Sequence, residues 1–140
     1  MLLSGFSHVA LTVSNLKVSR EFYSETLGLI VLDSSRTYCA LLIGGDGLSA
    51  LILTCHEGGF TEPFSEFRLG LDHVSFAVPD VASLEDWRAR LTQRGVHSDL
   101  RRSEWGRHLN LRDPDNIAVE LVVLEPDAGV RQVLDQAGRA

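Results

Sequence analysis

The chain is expected to be an α+β protein built from two tandem βαβββ modules that form a curved mixed sheet, and three observations support this. First, Gly70-Leu71-Asp72-His73-Val74-Ser75-Phe76-Ala77-Val78 repeats the pattern of Gly5-Phe6-Ser7-His8-Val9-Ala10-Leu11-Thr12-Val13. Second, the turns keep the same order in both halves: Ser14-Asn15 maps onto Pro79-Asp80, Leu27-Gly28 onto Arg94-Gly95, and Asp46-Gly47 onto Asp115-Asn116. The offset is 65 between His8 and His73 and rises to 69 between Asp46 and Asp115, a fixed-period self-similarity that marks a duplicated unit. Third, 140 residues with 44% hydrophobic content suffice for one substantial core, whereas each half alone would be marginal. A single domain over 1–140 is expected, with module one at about 4–57, a linker at 58–69, module two at about 70–125 and a tail at 126–140.

Phe6 to Val13 alternates at period two, as a strand with one face on a core does: Val9, Leu11 and Val13 share one face, and His8, Ala10 and Thr12 share the other. Ser14 or Asn15 then caps a helix with Leu16, Phe22, Tyr23 and Leu27 at near-helical spacing, and Gly28 supplies its stop. Strands follow at about Leu29–Ser34, Tyr38–Ile43 and Leu48–Thr54, the last two joined by the turn-prone Gly44-Gly45-Asp46-Gly47. Module two repeats the order: strand Leu71–Val78, cap Asp80, helix Val81–Arg94, stop Gly95, and strands near Val96–Leu100, Arg107–Leu111 and Ile117–Leu124. Asp113-Pro114-Asp115-Asn116 is the tight turn between the last two, with Asn tolerant of a positive φ. The tail reads as a short terminal helix or a frayed end.

A net charge of −6, from 13 basic and 19 acidic residues with no basic stripe, argues against nucleic acid or an anionic membrane and for a small-molecule ligand. No apolar run approaches the roughly 18–20 residues of a membrane span, and the N-terminus lacks a basic, long-apolar leader, so a cytoplasmic location is expected. Cys39 and Cys55 fall within strands and have no CxxC spacing, so ordinary thiols are the default.

Counting along Ile117-Ala118-Val119-Glu120-Leu121-Val122 puts Val119 and Leu121 on the helix-covered face and Glu120 on the other. His8 and His73 likewise lie opposite Val9/Leu11 and Val74/Phe76. If two such sheets curl toward each other they enclose a cleft, and two imidazoles with one carboxylate there would offer a divalent metal three ligands, leaving positions for water and substrate. Taken singly, a strand histidine is more often structural; the recurrence at His73 together with Glu120 reverses those odds.

The doubled module, the histidine in each first strand and the ending Asp113-Pro114-Asp115-Asn116-Ile117-Ala118-Val119-Glu120 resemble the vicinal oxygen chelate superfamily, which includes glyoxalase I, extradiol dioxygenases, fosfomycin-resistance thiol transferases, methylmalonyl-CoA epimerase and bleomycin-binding proteins. The resemblance covers about residues 5–125, implies a metal-binding cleft, and makes His8, His73 and Glu120 the metal ligands. It implies Fe, Mn, Ni or Zn as the divalent ion and a small oxygen-bearing substrate, with a glyoxalase-like or dioxygenase-like enzyme, a dioxygenase or a lyase, as the activity. Family members commonly pair, so a homodimer is expected. Alignment puts Leu51 where glyoxalase I supplies a fourth ligand, and Asn110 where extradiol enzymes carry a tyrosine. Asp99-Leu100-Arg101-Arg102-Ser103-Glu104-Trp105 is a poor match to the lysine-bearing stretch of the fosfomycin enzymes.

His108 and Asn110 share the Glu120 side and are the catalytic candidates, His108 as a proton carrier; the bland alternative is an ordinary polar strand surface. His56 and Glu57 read as linker residues. Trp105-Gly106-Arg107 reads equally as a gate or as loop anchoring, and Arg36 and Tyr38 as cleft contacts without motif support. Phe60, Phe64 and Phe67 read as lid or interface packing. The rival function is a metal-free drug- or small-molecule-binding protein of the bleomycin-resistance kind; in such relatives the ligand positions are replaced, whereas here all three are retained.

Overall fold

The computed structural model describes residues 6–44, 49–59 and 62–125. The tail 126–140, Phe60 and the turn residues Gly45-Asp46-Gly47 therefore lie outside the described residues. Two compact units divide the chain: the first holds 1–64 together with 113–116, and the second holds 65–112 and 117–140.

In the first unit, strand β1 (His8–Thr12) leads to helix α1 (Leu16–Glu21) and strands β2 (Ile30–Ser34), β3 (Tyr38–Leu42) and β4 (Ala50–Thr54), in the sheet order β1-β4-β3-β2. The β1–β4 pair is parallel and the other two are antiparallel. Leu11, Val13, Cys39, Leu41, Leu51 and Leu53 fill the helix-covered face, as the period-two reading requires. Asn15 is the helix cap, its side chain accepting from the Val18 N–H at 3.2 Å. Residues 22–26 then widen into a π-helical turn closed by Leu27 N–H on Phe22 O. The Ser24 hydroxyl bonds back to Arg20 O at 2.7 Å, a side-chain competition that loosens helical turns. Tyr23 in this turn is completely buried, and Gly28 ends it at φ 76°.

The second unit repeats the plan with strand β5 (Val74–Ala77), helix α2 (Val81–Gln93) and strands β6 (Ser98–Ser103), β7 (Gly106–Arg112) and β8 (Ala118–Leu124), in the order β5-β8-β7-β6. Asp80 caps α2, accepting from Ser83 N–H at 2.7 Å, and Gly95 follows its end at φ 71°. Leu84 and Leu91 face the core side filled by Val74, Phe76, Leu109, Leu111, Val119 and Leu121. Strand bounds differ from the sequence reading by up to three residues, chiefly because β5 begins only at Val74.

Asn116 takes the expected positive φ, 66°. The turn it belongs to is held within the first unit. Tyr23 OH donates to Asp113 Oδ2 at 3.0 Å, Ser14 N–H donates to Asp115 Oδ2 at 2.9 Å, and the Ser14 hydroxyl bonds Asp115 Oδ1. Phe64 N–H reaches Asp115 O, and the Asn116 amide donates to Phe64 O, both at 2.8 Å. Burial and the adjacent Asp113 carboxylate push the Tyr23 phenol far up, so it stays a protonated donor.

Strand register corrects one equivalence. Ala10 pairs with Ile52 in the first unit as Ser75 pairs with Glu120 in the second, so the first-unit counterpart of Glu120 is Ile52. Leu51 is fully buried on the core side, like Val119. The two hairpin turns differ in length, which aligning them on Asp-Gly and Asp-Asn does not reveal. A hydrocarbon occupies the position either way.

Candidate metal and catalytic site

The open face of the second sheet is assembled from three neighbouring strands. Pairing of Ser75 and Asn110 with Glu120, and of His108 with Val122, lines these side chains up on the face opposite Val119 and Leu121. Glu120 is the centre. Its side chain keeps only 15% exposure, and a carboxylate that far from water needs partners. Oε1 accepts the Ser75 hydroxyl at 2.7 Å, and Oε2 lies 2.8 Å from His108 Nδ1. The far nitrogen of His108, Nε2, is 2.6 Å from Ser103 Oγ, which also accepts the Trp105 N–H at 3.1 Å.

His73 precedes β5, half exposed. Its Nδ1 is 2.6 Å from Asp72 Oδ1, and a carboxylate there accepts, so Nδ1 carries a hydrogen and the neutral ring presents its lone pair at Nε2. Nε2 stands 4.0 Å from Glu120 Oε1. That distance is too long for a hydrogen bond; two donors each about 2.1 Å from one cation stand roughly 3.0 to 3.4 Å apart at cis or tetrahedral positions, so this pair would have to close by up to about 1 Å to share an ion. By donor type, an imidazole nitrogen facing a carboxylate oxygen suits a divalent ion. Among the described residues no group of three or more His, Cys, Asp or Glu side chains is already gathered to hold a metal.

His8 stands at the head of β1 in the first unit, exposed, with Nδ1 2.9 Å from Ser7 Oγ. Ser7 and Asp72 occupy equivalent repeat positions, each a polar residue directly before a histidine. That signal is legible in sequence. Ser75 and Ser103 carry no such signal; only cross-strand register reveals them.

The remaining candidates are less engaged. Asn110 shares the Glu120 face, with its amide 3.5 Å from Asp99 O, a marginal contact. Trp105 is half exposed in the β6–β7 hairpin, and Arg107 pairs with Glu125 at 3.5 Å. His56 and Glu57 are exposed beyond β4. Tyr38 OH donates to Asp33, whose bond and charge raise the phenol's pKa, and Arg36 is exposed. Phe64 is half-buried and Phe67 is exposed. Burial pushes the Cys39 thiol up, so it stays neutral, and Cys55 Sγ lies 3.6 Å from Ser14 O.

The sequence profile of the Glyoxalase/Bleomycin resistance protein/Dioxygenase superfamily matches residues 5–121. A glyoxylase/bleomycin resistance protein/dioxygenase domain from Frankia sp. EAN1pec superposes with a TM-score of 0.79 at 36% identity, covering 89% of this chain and 100% of that one. A glyoxalase family protein from Enterococcus faecalis gives a TM-score of 0.72 at 26% identity, covering 87% and 99%. Metallothiol transferase FosB from Staphylococcus haemolyticus (strain JCSC1435) is 29% identical over 116 residues, covering 83% of this chain and 75% of that protein. With matching profile, matching fold and a duplicated module of the same order, the chain belongs to the Glyoxalase/Bleomycin resistance protein/Dioxygenase superfamily.

Proposed function

We propose that the chain is a metal-dependent enzyme in which His8, His73 and Glu120 hold a divalent ion, Fe, Mn, Ni or Zn, and a small oxygen-bearing substrate joins them there. The observation that carries this reading is the pair His73 Nε2 and Glu120 Oε1, 4.0 Å apart, each oriented by its own hydrogen bond. A bound ion would supply Lewis acidity toward a substrate oxygen. Asp72 holds the His73 ring so that Nε2 points outward as a base, and Ser75 holds the carboxylate. His108 and Asn110, on the same face, are available to orient substrate.

Among reactions, the name of the curated Staphylococcus relatives, metallothiol transferase, puts thiol transfer first to assay. Lyase chemistry comes next, and oxygen-dependent ring cleavage last, since Asn110 stands where a substrate-binding phenol would be expected. The test is metal content by plasma mass spectrometry on tag-free protein reconstituted anaerobically. Near-stoichiometric metal in the wild type, lost in His8→Ala, His73→Ala and Glu120→Ala, is the expected result. No metal in the wild type would sink the site and favour the metal-free binding protein.

The same reading includes a homodimer in the cytoplasm. The homodimer is supported by the edge strand β2, all of whose residues are exposed, Ile30, Val31 and Leu32 among them, and by exposed Phe67 and Leu69. Light scattering should give twice the mass of a 15.4 kDa chain. A monomer at high concentration would defeat it.

A further inference from the structure

We infer that His108 is a positioning residue for Glu120, the second element of a directed hydrogen-bond chain that runs from the β6–β7 hairpin to the carboxylate; this rests on the proposed reading of Glu120 as a metal ligand. The direction follows from donor inventory. Trp105 N–H can only donate, so Ser103 Oγ accepts from it at 3.1 Å. The serine hydroxyl hydrogen is then free for His108 Nε2 at 2.6 Å. An ionised carboxylate can only accept, so His108 Nδ1 carries the hydrogen it shares with Glu120 Oε2 at 2.8 Å. An imidazolium would change the Ser103 end and leave the Nδ1–H to Oε2 bond intact. Ser75 donates to the other oxygen at 2.7 Å.

Glu120 is thus gripped at both oxygens from two neighbouring strands, β5 and β7. With Oε2 bound by His108, Oε1 is the oxygen left beside His73 Nε2. The His108 side chain is largely buried, at 17% exposure, so the bond is shielded from competing water. The outer end of the chain, by contrast, is open: Ser103 is exposed, and the Trp105 ring beside it is half exposed. Hairpin geometry is therefore transmitted to the carboxylate through two side chains.

The test is calorimetric titration of Zn²⁺ into the metal-stripped, full-length chain, with nitrogen NMR of the histidine rings in the same metal-free protein. His108→Leu, which removes the donor, should weaken Zn²⁺ binding roughly 10- to 100-fold, the usual effect of losing an outer-shell partner. His108→Asn, which keeps an N–H near the Nδ1 position, should restore most of that affinity. Ser103→Ala should fall between the two, and NMR should find His108 protonated at Nδ1 in the wild type. His108→Leu binding Zn²⁺ as the wild type does, while Glu120→Ala abolishes binding, would overturn the positioning role and leave the metal site standing. A wild type that binds no Zn²⁺ would overturn both, and its own isotherm separates the two failures. Should His108→Leu fail to fold by circular dichroism, Ser103→Ala and His108→Asn decide: the same affinity in Ser103→Ala as in wild type overturns the relay.

Discussion

A hydrogen bond to one imidazole nitrogen decides which chemistry the other can do. At His73 the decision is made by the preceding residue, Asp72, and at His108 by Glu120: both rings carry a hydrogen on Nδ1, but the Nε2 of His73 faces Glu120 while that of His108 is taken up by Ser103. Outside this cluster Glu66 is shifted by a partner as well. Arg112 Nη1 and Nη2 reach its two oxygens at 3.1 and 2.6 Å, and that bidentate donation holds the Glu66 carboxyl down to about 2. A carboxyl depressed on folding stabilises the native state above its ordinary pKa and loses that contribution as pH falls through the depressed value. The melting-temperature gap between wild type and Glu66→Gln should therefore be full above about 4.5 and should close as pH approaches 2. A gap that stays constant across that window would assign the effect to packing.

At the scale of elements, the β6–β7 hairpin owes its shape to one glycine. Gly106 has φ 144°, and a Cβ there would lie 2.0 Å from Val123 O and 2.9 Å from Glu125 N. Both are backbone atoms of β8 and its continuation, so nothing can swing aside. Gly106→Ala should cost on the order of 3 kcal/mol in denaturant unfolding, combining overpacking with a strained φ. Gly95→Ala, with φ 71° and open space around it, should cost only about 1 kcal/mol. Equal costs would mean that the hairpin can move. Edge strand β2 is handled differently: its register to β3 skips Leu32 between Val31 and Asp33, a bulge that bends an apolar edge away from straightforward pairing.

At the scale of the whole molecule, the repeat made the fold readable. Period-two strands, the Asn15 and Asp80 caps, and Gly28, Gly95 and Asn116 are local signals, and each kept its role. The side assignment of His8, His73 and Glu120 was equally local, because alternation alone decides a strand's faces. What escaped was everything that depends on register or on distant partners. Ile52 rather than Leu51 faces out beside Ala10, Ser75 meets Glu120, and His108 lies between Glu120 and Ser103. The π-helical turn at 22–26 escaped because propensity scales do not register a side chain competing for a helix carbonyl.

The turn at 113–116, counted with the first unit, has a consequence for how the protein is born. Tyr23 and Asp113 are 90 positions apart, so the N-terminal half leaves the ribosome with a phenol that lacks its buried acceptor. At about 5–20 residues per second, that wait lasts roughly 5 to 18 seconds. Ser14 and the backbone of Phe64 wait alongside it, for Asp115. Vectorial synthesis therefore cannot complete the first half before most of the second has been made, and its bonds to Asp113 and Asp115 form only then.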